Sequence, residues 1–149
     1  MSEVRIMVAN ERRRLLWHGV LLFLVGLLTG LVEARFTNVR MGLAAHLEGI
    51  MNGIFLLAVG AVWLEVHLGP RCRASTYWMV LYGTYANWFF TSLAAYWGTG
   101  ALSPVTAAGL QAQPWQEELV TLGFTSVGLA MIAVSGLLLW GLRFGARVV

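Results

Sequence analysis

The sequence predicts an all-α integral membrane protein, a single domain over residues 1–149 built as a bundle of four transmembrane helices. Composition is the first reason. Of 149 residues, 58% are hydrophobic and 11% charged, against roughly 25% charged in an ordinary soluble domain, and mean hydropathy is +0.71. A soluble fold of this length has too little interior to hide that much apolar surface. The second reason is segregation. Every cation is Arg and every anion Glu, and they cluster between apolar runs that each approach the ~20 residues needed to cross a bilayer.

The first span is expected over about residues 15–32, directly after Arg12, Arg13 and Arg14. No small-residue cleavage site follows it, so it reads as a retained helix rather than a signal peptide. Next to a bilayer, that short basic run is a topology signal and not a grip on phosphates, which argues against nucleic acid as a partner. The second span is expected at 43–66, the third at 77–97 and the fourth at 119–142. Between the last two, the stretch 98–116 carries Gly98, Gly100, Pro104, Gly109 and Pro114. Those residues forbid a regular helix and suggest a cap or re-entrant segment.

Orientation follows from the arginines. Arg5, Arg12, Arg13, Arg14, Arg71, Arg73, Arg143 and Arg147 fall on one side of four spans, and only Arg35 and Arg40 on the other. The positive-inside rule then puts both termini in the cytoplasm of a multi-pass protein of the inner membrane. Trp17, Trp63, Trp78, Trp97, Trp115 and Trp140 sit near span ends, as an interfacial belt requires, whereas Trp88 is expected to pack inside. The single Cys72 excludes an internal disulfide and any CxxC motif.

Polar side chains within the spans need partners, because lipid offers none. In the second span His46, Gly49, Ile50 and Gly53 share one face. Two readings stand: a small-residue contact that lets another helix approach closely, or a recess for a planar ligand whose metal His46 holds. His46 and His67 are too far apart on one helix to share an iron, and His18 and His46 are mismatched in depth. A bis-His site from His18 and His67 is a rival arrangement. The third span carries Thr84, Asn87 and Thr91. Threonines often bond back to their own helix, but the amide of Asn87 must find another helix, a cofactor or a substrate. Asn52 is its natural counterpart, either as a helix clamp or as part of a site. Tyr82 and Tyr85 could position a substrate or bridge helices. Thr121, Thr125 and Gly128 read as a packing face. With no acidic residue expected in mid-membrane to couple protons, a cofactor-free transporter is disfavoured.

The run Ala45–Gly53 with its His46, Asn52 and Gly53, the Tyr85-Ala86-Asn87 run, and the basic segment leading to His18-Gly19 together resemble the small membrane isomerases that include hydroxylaminobenzene mutase and styrene oxide isomerase. The resemblance spans most of the chain. It implies a homotrimer with b-type haem near the subunit contacts, His46 as axial ligand beside Gly49 and Gly53, and Asn52 and Asn87 on the open face of a ferric iron acting as a Lewis acid. Tyr85 and Thr91 complete the candidate set. Where styrene oxide isomerase has an Asp and a Tyr, this chain has Gly83 and Thr91, which disfavours epoxide opening. The expected reaction is therefore rearrangement of an arylhydroxylamine to an ortho-aminophenol. The alternatives are an epoxide-to-aldehyde isomerase and a non-catalytic haem-carrying membrane anchor.

Overall fold

The computed structural model describes residues 3–143; Arg147, one of the arginines in the orientation argument, lies outside them. Four long helices dominate the chain: α1 (Glu3–Val32), α2 (Val39–Val62), α3 (Pro70–Trp97) and α5 (Pro114–Leu142), with a single-turn α4 (Pro104–Ala107) in the last connection. α1 runs straight through the arginine triplet instead of starting after it.

Local chemistry sets the ends. Asn38 caps α2, its side chain accepting from the Met41 N–H at 3.0 Å. Pro70 and Pro114 open α3 and α5, where a missing N–H costs nothing. Gln113 and Gln116 form a reciprocal capping box at the start of α5. α3 stops at Gly98, whose φ of 73° suits glycine and few other residues.

Three helical stretches are long and apolar enough to cross a membrane: Arg5–Arg35, Val39–Glu65 and Pro114–Leu142. α3 has the length, at 28 residues, but Arg71, Arg73, Ser75, Thr76, Thr84, Asn87, Thr91 and Ser92 lower its apolarity. That polar content is the reason its expected span does not stand out by composition.

Packing follows chain order. α1 lies along α2, α2 along α3, and α5 docks on α3, its far end reaching the 63–69 turn through the His67 N–H, which donates to the Gly141 carbonyl at 2.9 Å. The α1–α2 contact is unusually close because glycines meet glycines: a Cβ on Gly26 would fall 2.7 Å from the Gly49 carbonyl carbon, and one on Gly53 would fall 2.8 Å from Gly19 O. A core of Leu15, Leu22, Leu56, Val59, Val80 and Val134 fills the half nearer the arginine triplet. Much of α5 remains uncovered, with Leu122, Leu129, Ile132 and Leu139 all exposed.

The indoles divide differently from expectation. Trp17, Trp78, Trp115 and Trp140 are exposed, the last two at the ends of α5, but Trp63 is fully buried and its Nε1–H donates to Glu11 at 3.1 Å. Glu11 also pairs with buried Arg73 at 3.2 Å. An expected belt residue thus belongs to an internal ionic clamp. Trp88 packs inside as expected, donating to Thr29 Oγ1 at 3.0 Å.

Candidate active site

The centre of α2 presents two faces of different chemistry. On the α1 side, His46 Nδ1 lies 2.8 Å from the backbone oxygen of Gly26. The ring also rests on Gly30, where a Cβ would come within 2.8 Å of its Cε1. This contact leaves Nε2 as the uncommitted nitrogen, the usual state of a histidine whose other nitrogen binds a metal. The residues present would therefore fit a metal held by one imidazole of fixed orientation. Gly49 and Gly53 do not form an open recess beside it within the chain. Their face is filled by the backbone of α1 around Gly19, Phe23 and Gly26.

On the α3 side stands a group that the sequence reading passed over. Glu48 lies in the middle of α2, half buried. Its Oε2 accepts from Asn52 Nδ2 at 3.1 Å, one turn along the same helix, and also from Asn87 Nδ2 on α3. The two asparagines do meet, but through a carboxylate. Glu48 thus puts an acidic residue inside the second span, contrary to the expectation that mid-membrane holds none. A lone Glu four residues before Asn52 in an otherwise apolar run was the available signal. At about 100° per residue, two positions place Glu48 about 200° around the helix from His46. A single chain therefore does not bring His46 together with Asn52 and Asn87.

The other candidates have local partners. Thr91 Oγ1 donates to the Asn87 carbonyl at 2.8 Å and Thr84 Oγ1 to the Val80 carbonyl at 2.8 Å, each bonding back along α3. Tyr85 OH reaches across to His18 Nδ1 at 3.0 Å. Tyr82 OH bridges to Ser126 Oγ on α5 at 2.6 Å. Thr125 bonds back to the Thr121 carbonyl, while Gly128 has nothing beside it, so that face does not pack within the chain. His18 lies level with the Gly53–Leu57 segment, since neighbouring Gly19 packs there. It is 12 residues from Gly30, or about 18 Å along α1 from the level of His46.

The 98–113 loop is tied down by Glu117. This carboxylate accepts from the backbone N–H groups of Gly100, Ala101 and Ala112 at 2.9–3.1 Å. A cavity of about 490 Å³ beneath the loop is lined by residues 100–117 and includes none of the polar side chains of the α2–α3 centre.

Residues 11–143 match the family model described as styrene oxide isomerase. The chain belongs to the styrene oxide isomerase family. Within this family's range it is 46% identical over 132 residues to hydroxylaminobenzene mutase HabB of Ectopseudomonas oleovorans, covering 88% of this chain and 80% of the relative. It is 42% identical over 125 residues to hydroxylaminobenzene mutase HabA of the same organism, covering 83% and 93%. No solved structure matches. Family membership and these relatives mark the chain as an isomerase.

Proposed function

We propose that this protein is a four-span membrane mutase that converts an arylhydroxylamine such as hydroxylaminobenzene into an ortho-aminophenol, using haem b held by His46. The observation that carries the reading is the pairing of one pinned imidazole with a part-buried Glu48–Asn52–Asn87 cluster, on a chain 42–46% identical to two hydroxylaminobenzene mutases. Among the described residues no three His, Cys, Asp or Glu side chains converge. A lone histidine retains iron when a macrocycle supplies the other ligands, which favours haem over a metal bound by side chains alone.

When bound, ferric haem supplies a Lewis acid that draws electron density from the N–O group. The chain's own residues do the rest. His46 keeps its orientation through Gly26, which engages Nδ1 and leaves Nε2 to hold the iron. Asn52 and Asn87 each donate one amide hydrogen to Glu48, which fixes both amide planes and leaves their carbonyl oxygens for a substrate. They orient the migrating hydroxyl as acceptors and still have one N–H each for developing negative charge. The apolar helix surfaces hold the aromatic ring and keep water away.

His46 and the asparagine pair face opposite ways, so acting on one bound group takes two copies of the chain. A homotrimer with the site at its subunit contacts satisfies this and also covers Glu48, a half-buried carboxyl otherwise facing hydrocarbon at a cost. The arginine distribution supports a topology with both termini in the cytoplasm, and the burial of Thr76, Thr84 and Thr91 within the bundle supports α3 as the fourth span.

The family model's description favours a second reading, isomerisation of an epoxide to an aldehyde. Purified protein offered hydroxylaminobenzene and styrene oxide separately, with products resolved by chromatography, decides between them. 2-Aminophenol from the first supports the mutase. Phenylacetaldehyde alone favours the epoxide reaction.

A further inference from the structure

We infer that Glu48 is the proton carrier of the rearrangement, taking a proton from the ring carbon and returning one to nitrogen. This rests on the mutase reading above and goes beyond it in assigning the proton transfers. The geometry that points to it is an asymmetry in one carboxyl group: Oε2 takes both asparagine amides, while Oε1 has no hydrogen-bond partner among the described residues. A carboxyl kept in an apolar span is costly unless it is used. The two asparagines orient it without blocking its free oxygen.

The reaction needs such a group. As the hydroxyl moves, the N–O bond breaks and a C–O bond forms at the ortho carbon, which then carries both the new oxygen and its original hydrogen. The nitrogen, still with one hydrogen, is now doubly bonded to the ring. Restoring aromaticity requires loss of the C–H proton and gain of one proton by nitrogen. The electron pair of the C–H bond returns to the ring, and the C=N pair accepts the proton. Atoms and electrons balance without water, oxidant or reductant. Because the ortho carbon and the nitrogen are neighbours on one ring edge, a single carboxyl oxygen serves both transfers. Asn52 and Asn87 cannot do this, since an amide is not a useful base at neutral pH.

Glu48→Gln is the direct test, because a glutamine carbonyl still accepts from both asparagines while losing the basic oxygen. Wild type and variant are assayed as detergent-purified protein with hydroxylaminobenzene, protiated and deuterated at both ortho positions. The expected result is a kcat about 100-fold lower in the variant, a KM within a few fold of wild type, and a deuterium isotope effect larger than in wild type. A variant that keeps its rate and shows no isotope effect overturns the assignment while leaving the mutase reading intact. Wild type that makes no 2-aminophenol overturns both. Glu48→Asp guards against a folding defect: it retains a base set further back, so it is expected to lose rate by an intermediate factor and show the same raised isotope effect. Glu48→Asp without any change in isotope effect counts against the proposal.

Discussion

Asn87 on α3 and Asn52 on α2 donate to the same carboxylate oxygen, Glu48 Oε2. Sharing one acceptor couples them. Asn52→Ala and Asn87→Ala should each lower kcat by about tenfold or more, a range common for groups positioning a reacting centre. The double variant should lose less than the product of the single losses, because the first removal already frees the carboxyl to turn. Steady-state rates for the four proteins of the cycle measure this coupling.

The ring of His46 rests on Gly30, so a methyl group there has no room. Gly30→Ala should displace the imidazole, with an overpacking cost of about 1–3 kcal/mol. Haem retained per chain after purification should fall with it. Gly128 is the control, since a Cβ there meets nothing within 4 Å. Gly128→Ala should leave haem content unchanged and raise thermal stability slightly. Equal haem loss in both variants would mean that Gly30 does not act through the histidine.

Glu117 holds three separate backbone N–H groups of the 98–113 loop. Glu117→Ala should release the loop at a cost of order 1 kcal/mol. Limited proteolysis should then cut between 100 and 112 well before it cuts elsewhere. Because the loop cavity contains none of the Glu48 cluster, kcat should change far less than the cleavage rate.

At the end bearing the arginine triplet, Glu11 accepts from Trp63 and pairs with Arg73, both partners buried and Glu11 itself partly so. Glu11→Ala strands a buried guanidinium and an indole N–H. The expected cost is about 3–5 kcal/mol, as for other broken buried pairs. Adding Arg73→Met should restore part of it. A melting series in detergent tests the sign of that recovery.

Tyr85 meets His18 and not the Glu48 cluster. Tyr85→Phe should therefore lower stability by about 1 kcal/mol while reducing kcat less than Asn87→Ala does.

The helices were legible because hydrophobic runs and their Pro and Gly boundaries are local properties. Asn38, Pro70, Gly98 and Pro114 mark their own ends. Trp63 was misplaced because a belt residue and a buried donor look alike until Glu11, 52 positions away, is brought beside it. Asn52 and Asn87 were recognisable as needing partners, since lipid satisfies no amide. Their partner was missed because Glu48 sits within a run read for its histidine and glycines. The direction in which Gly49 and Gly53 face is set by α1, and periodicity within α2 alone carries no information about which neighbour fills that side.

The most direct test of the whole account is one visible absorption spectrum of the detergent-purified protein beside that of His46→Ala. A Soret band in the wild type, lost together with turnover in the variant, is the predicted result. A colourless wild type that still converts its substrate, or a His46→Ala protein that keeps both its pigment and its rate, would contradict the central role of that imidazole.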